Sequence, residues 1–336
     1  MALVQSFKVK FITPLLIHGS AKGPDAGHLG TSFRGVWRFW FRAFVGGMVP
    51  DITMENLLTL ENSVFGAANR KVGKIFSMKI TPPDNLGEFV SHQIPAGFNE
   101  PSTNRPFMFR GYKSDTSFTV NITHRKGIDE ETVRALGATI WLWGALGGIG
   151  QRSRRGFGSP LLELSSNYKS LFDELTFSDS FQNAEEIKNF LKLGVAKVWD
   201  TIEQFLKKTH LYSDGRITIV GKNNMEGSVP CEYGWFVLRS LKQIAIGMNE
   251  NFVDQQTALK AIHGCKQCTG LGYGERWPSP IITRLYRITD GHYIPVATHC
   301  DQDMDGRTCP VSGHTDRQTC IDKYRQKAKL IWTFNE

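Results

Sequence analysis

The chain has 336 residues, 40% of them hydrophobic, enough length and apolar content for two domains with real cores, which excludes a disordered or fibrous chain. Forty Lys and Arg against 32 Asp and Glu give a formal charge of +8 and a pI near 9.1, a balance that suits anionic partners such as nucleic acid, acidic proteins or membrane surfaces. No apolar run approaches the roughly 18 residues that cross a bilayer. The longest, Ala138 to Ile149, contains three glycines and leads into arginines. The N-terminus shows no basic segment followed by an apolar one, so no secretion signal is expected and the protein reads as cytoplasmic. Six cysteines in a reducing compartment do not make a disulfide framework.

Phe7, Val9 and Phe11 alternate with Lys8 and Lys10, which predicts a half-buried first strand. A loop from Ile17 to Gly30 follows, with four glycines and one proline. The spacing of Phe33, Val36, Trp37, Trp40, Phe41 and Phe44 then predicts an amphipathic helix over 32–45, capped by Thr31 or Ser32 and stopped by Gly46. Strands are expected at 74–80 and 117–122. A second helix starts at Asp129, with Glu130 and Glu131 in its first turn, and ends at Gly147-Gly148. Strand, helix, strand, strand, helix, strand is the order of a ferredoxin-like fold. Polar residues 165–180 mark a boundary between a first domain, 1–165, and a second, 166–336. The next helix, about 184–208, buries Ile187, Phe190, Leu191, Val195, Val198, Trp199, Ile202 and Phe205. An internal echo, Gly147 to Leu164 against Thr269 to Tyr286, gives glycines, arginine, Ser-Pro and an apolar strand twice, suggesting a duplicated α+β architecture.

Two basic constellations carry the chemistry. Arg34, Arg38 and Arg42 share one helix face opposite the aromatic stripe, with no acidic residue between Gly27 and Pro50. An anion is expected against that face, external or brought in by folding. The second is Gly147-Gly-Ile-Gly-Gln-Arg-Ser-Arg-Arg-Gly-Phe-Gly158. Gly148 and Gly150 let a backbone approach a polyanion, Arg152, Arg154 and Arg155 offer bidentate phosphate donors, and Phe157 offers a stacking face. The segment lacks the Gly-Lys-Ser/Thr of a phosphate-binding P-loop and the third glycine of a dinucleotide fingerprint. In the later Gly-rich segment, Arg276 and Trp277 repeat the pairing of a cation with an aromatic ring.

A strand ending in Thr13-Pro-Leu, a Gly-rich loop, the Ser32 to Arg42 helix and the Arg152 to Ser159 segment together resemble the RAMP superfamily of CRISPR proteins. Within it the chain is similar to the first-subunit family of the Cmr-type (type III-B) effector complex. The resemblance covers about residues 7–164. It implies two tandem ferredoxin-like (RRM-like) domains, contacts with the other subunits of a ribonucleoprotein for antiviral defence, and a place near the 3′ end of the guide RNA. It also implies no nuclease activity in this subunit. Single-stranded RNA, guide or target, is then the partner of both arginine groups and of Lys22 in the first loop, gripped through its backbone; no membrane is involved.

The enzyme alternative rests on Asp25, with Lys22, His18 and His28 nearby. In related RAMP subunits an aspartate in this loop helps to cut target RNA, and a carboxylate beside basic groups suits a metal-assisted cut. His18 or His28 as general acid or base, as in guide-RNA-processing RAMP enzymes, is the metal-independent alternative. A third alternative is a protein-only scaffold whose basic face docks an acidic neighbour. Cys265-Lys-Gln-Cys268 has the spacing of half a structural zinc site, with Cys300 and Cys309 the expected completing pair. Cys320, His263, His299 and His314 are alternative ligands, and buried reduced thiols or disulfides are alternatives to any metal; no cofactor is required. Trp37, Trp40, Trp141 and Trp143 are expected in the core.

Overall fold

A computed structural model describes residues 4–17, 29–67, 73, 75–82, 89–93, 108–164, 172, 175, 177–178, 180–220, 239–247, 254–264, 281–302 and 328–333. The first half contains β1 (Val4–Phe11), α1 (Leu29–Met48), α2 (Met54–Phe65), β2 (Phe76–Thr81), a hairpin of β3 (Phe89–Gln93) and β4 (Met108–Tyr112), β5 (Thr116–His124), α3 (Glu130–Leu146) and β6 (Pro160–Leu164). Its sheet runs β2-β5-β1-β6, with antiparallel neighbours throughout. Then come α4 (Ala184–Lys207), the short α5 (His210–Ser213), β7 (Arg239–Gly247), α6 (Gln255–Gly264), β8 (Ile281–Arg287), β9 (Tyr293–Gln302) and β10 (Ala328–Thr333). The second sheet runs β10-β7-β9-β8, also antiparallel. Numbered within each half, both sheets have the strand order fourth, first, third, second (or its reverse), so the chain is a tandem of ferredoxin-like α+β units.

Local rules explain the elements that position the loops. The β1 side chains alternate, Gln5, Phe7, Val9 and Phe11 buried and Lys8 exposed, as a strand covered on one face demands. Asp129 caps α3 by accepting from the Thr132 N–H at 2.8 Å. The first helix is longer than its apolar stripe predicts. It starts at Leu29, before the expected caps, and passes through Gly46 and Gly47, which are buried within its last turn.

The two sheets share one helical layer. The inner face of the first sheet packs on α1 and α3, and β7, β8 and β9 of the second sheet approach the same two helices. α4 closes a third side: Trp141 of α3 meets Phe190 at 5.3 Å, and Phe44 of α1 meets Trp199 at 6.2 Å. Nearly all of α3 from Thr132 to Leu146 is therefore buried, which is why the longest apolar run of the chain is a core helix. No described helix is long and apolar enough to cross a membrane. Trp37, Trp40, Trp141 and Trp143 all lie in this core, as their spacing predicts.

The internal echo does not superpose equivalent strands. Its first copy ends in β6, the fourth strand of its unit, and its second ends in β8, the second strand of the other. The two copies instead meet: Arg155 forms a parallel bridge with Thr283.

Candidate nucleic-acid interface

The arginine face of α1 finds an anion inside the fold. Arg38 and Arg42 both bind Glu61 of α2, the latter at 2.5 Å, and the glutamate is 3% exposed. Arg38 also donates to the Gly66 carbonyl at the end of α2 at 2.5 Å, where a cation complements the helix dipole. Arg34 donates to the Phe76 carbonyl at 3.0 Å and lies 4.8 Å from that ring; burial, then the neighbouring Arg38, pulls its guanidinium below the ordinary arginine value. Of the two expected sources of an anion, folding supplies one to Arg38 and Arg42, while Arg34 is bonded to a carbonyl. Sequence distance alone hid the carboxylate, which sits on the next helix.

The Gly-rich segment is a braced knot rather than an open cradle. Its N–H groups at Ile149, Gln151, Gly156 and Gly158 donate to the Gly158, Leu16, Thr283 and Pro14 carbonyls at 2.8–3.1 Å. The glycines allow the chain to approach itself. At Gly158, φ is +60° and a Cβ would lie 2.0 Å from the Ile149 oxygen; at Gly150, φ is +91° and a Cβ would lie 2.8 Å from the Leu16 oxygen. Gly148 is similarly close to the Ser153 and Phe157 carbonyls. Phe157, expected as a stacking face, is 1% exposed and packs with Leu16, Leu259, Leu285 and Tyr293. It is a core anchor. Arg155 is 5% exposed, and burial, with Arg152 nearby, lowers its pKa to about 10.

Arg152 and Arg154 lie at the tip, both partly buried. Arg152 lies 5.4 Å from the Phe109 ring of β4, and Arg154 lies 5.6 Å from the Phe39 ring of α1. Each ring fixes a cation from a different element, an attraction worth about 0.5–1 kcal/mol at exposed sites. Burial lowers the pKa of both from the ordinary arginine value, in Arg154 offset in part by Cys300; both stay charged at neutral pH. Arg152 holds a left-handed backbone, φ +58°, which costs an L-residue about 1–2 kcal/mol. The chain just before the first loop joins this tip through the Leu16 carbonyl.

His18, Lys22, Asp25, Arg276, Trp277, Cys265, Cys268 and Cys309 lie outside the described residues. Cys300 is buried on β9. Sequence reasoning missed Glu61, the two aromatic partners Phe39 and Phe109, and the β8 residues that hold the knot. A carboxylate on the apolar face of α2, beside Leu57, Leu60 and Val64, was the available signal for the first.

Residues 8–163 match the family model described as the RAMP superfamily. That segment, just under half of the chain, is similar to the RAMP superfamily. The relatives it resembles are Cmr-type subunits. The CRISPR system Cmr subunit Cmr1-1 of Pyrococcus furiosus (strain ATCC 43587 / DSM 3638 / JCM 8422 / Vc1) is 29% identical over 168 residues, 48% of this chain and 47% of that one. Cmr1-2 of the same strain is 26% identical over 182 residues, 47% of this chain and 94% of that one. The chain thus aligns with about half the length of the first relative. The crystal structure of Cmr1 from Pyrococcus furiosus in its apo form superposes with a TM-score of 0.58 at 16% identity, covering 98% of this chain and 99% of that one. A chain of the type III-B Cmr-beta complex bound to cognate target RNA gives 0.58 at 13% identity, covering 96% and 100%. At these identities the structures establish the shared fold.

Proposed function

We propose that this protein is a non-catalytic RNA-binding subunit of a type III-B CRISPR ribonucleoprotein, holding the backbone of single-stranded guide or target RNA at the tip of the Gly-rich knot. The observation that carries this reading is the fixing of Arg152 and Arg154. Both cations are held over aromatic rings on a loop whose backbone is internally bonded, so little side-chain freedom is lost on binding. Partial desolvation strengthens their attraction for phosphate. The match to Cmr-type relatives supports RNA and neighbouring effector subunits as the partners, and a cytoplasmic setting. Arg38 and Arg42 are assigned a structural role instead, because both are tied to the buried Glu61, whose single charge offsets one of the two.

The test is RNA binding by the full chain over a salt series, wild type against the Arg152→Ala/Arg154→Ala double variant. Weaker binding is expected, with a log–log salt slope shallower by about 1.4 for two lost phosphate contacts on a single strand. Equal affinity and slope would overturn the assignment and favour a protein-only scaffold. Incubated with labelled RNA and Mg²⁺ or Mn²⁺, the protein leaves the RNA intact in this reading; specific cuts abolished by Asp25→Ala would make it an RNA-cleaving subunit.

A further inference from the structure

The Gly-rich knot belongs to the first half of the chain, yet one strand of the second half holds its Arg154–Gly156 segment and both its stems. Thr283 of β8 brackets the knot: its N–H donates to the Arg154 carbonyl at 3.0 Å, and its own carbonyl accepts from the Gly156 N–H at 2.8 Å. Next along the strand, the Leu285 N–H donates to Ser159 Oγ at 3.1 Å, and Tyr286 Oη donates to the Ala145 carbonyl at 2.7 Å. Between them Arg284 is 1% exposed. Its guanidinium donates to the Gly144 carbonyl before the knot and to the Pro160 carbonyl after it, the latter at 2.8 Å, and lies 3.9 Å from the Tyr286 ring. Gly144 and Ala145 are in the last turn of α3, so β8 also satisfies carbonyls that the helix end leaves open.

A fully buried guanidinium bonded to carbonyls is a costly way to fill an interface, because packing alone is served as well by an apolar side chain of similar volume. What an apolar side chain cannot do is tie two separate backbone stems together. The planar fork of arginine does this with fixed geometry.

We propose that Thr283 and Arg284 are positioning residues for RNA binding: β8 serves as the template on which the first half's Gly-rich knot sets the spacing of Arg152 and Arg154. The inference rests on the RNA reading of those two arginines and adds that the second ferredoxin-like unit acts through them. Neither positioning residue touches RNA itself. Arg284 is enclosed, and the Thr283 backbone is occupied by the knot.

Two variants test this. Arg284→Met keeps the bulk and removes the tie between stems. Thr283→Pro removes the N–H that holds Arg154; the bracket to the knot occupies that residue's outward edge, so the pairing of β8 with β9 is left its own bonds. Each is made in the wild-type background and in the Arg152→Ala/Arg154→Ala background. Affinity for a single-stranded RNA oligonucleotide is measured well below the thermal midpoint of each folded protein, and Thr283→Pro decides if Arg284→Met does not fold. The expected result is a loss of at least about fivefold in the wild-type background and less than about twofold in the double-Ala background, the non-additivity of residues acting through one another. A purely structural role would lower the thermal midpoint and leave the affinity of the folded protein unmoved, which overturns the proposal. Equal losses in both backgrounds overturn it too. If the double-Ala protein already binds as wild type does, the RNA reading itself falls, a result distinct from either.

Discussion

Replacing Glu61 with Gln separates the arginines of α1 from those proposed to meet RNA. The variant keeps the shape and one acceptor of the side chain and deletes the charge that Arg38 and Arg42 share. Deleting one partner of a fully buried ion pair costs about 3–5 kcal/mol, most of it from the uncompensated charge left behind. Here the arginine side chains are 26% and 28% exposed, so water recovers part of that energy, and a loss of about 2–3 kcal/mol is expected. Urea unfolding reads it as a lower midpoint at unchanged m-value. In parallel, RNA affinity and its salt slope are measured for the folded variant. Both are expected to stay within about twofold of wild type, because the released cations lie on a face not assigned to RNA. A stability loss below about 0.5 kcal/mol, together with tighter and more salt-dependent RNA binding, would refute the reasoning and return the α1 arginines to the nucleic acid.

Arg152→Gly relieves the left-handed strain and removes the cation. Stability should stay within about 1 kcal/mol of wild type, since about 1–2 kcal/mol of relief offsets the lost ring contact, while RNA affinity falls severalfold; unchanged affinity in a filter-binding assay would dismiss this residue as a contact. His124 is buried, with Nε2 2.7 Å from Gln5 Oε1, and burial lowers its pKa to about 4. A lowered histidine pKa means the unfolded chain takes up the proton first, so this contribution is complete above about pH 6.5 and is lost as pH falls towards 4, by up to about 3 kcal/mol. The slope of unfolding free energy between pH 7 and 5 should flatten in His124→Gln, and a slope identical to wild type would contradict the assignment. Gly194 of α4 lies against Trp141, where a Cβ would sit 1.9 Å from the ring. Gly194→Ala should therefore destabilise by about 1–3 kcal/mol despite a better helix propensity; a raised thermal midpoint would mean that α4 is free to shift.

The elements legible in the sequence were those specified locally. The α1 and α3 helices announce themselves through aromatic positions three and four apart, and α3 also through the Asp129 cap. The tandem fold followed from strand and helix order and from the family resemblance. The misreadings all concern partners distant in sequence. Nothing near Arg38 points to Glu61, and Phe157 beside three arginines has the look of a stacking residue until the second half covers it. The β8 segment Ile-Ile-Thr-Arg-Leu-Tyr-Arg carried one unused hint: Arg284 shares a strand face with Ile282 and Tyr286, and a cation there implies a buried acceptor.

The dependence of the knot on β8 has a consequence for how the protein comes into being. During synthesis the arginine-bearing segment leaves the ribosome well before Thr283 and Arg284 do, and until they arrive its stems have no edge strand to lie on. The first half can gather its aromatic helices early, but the surface assigned to RNA is finished only when the second sheet docks. A nascent or prematurely terminated chain would thus carry the arginines without their geometry.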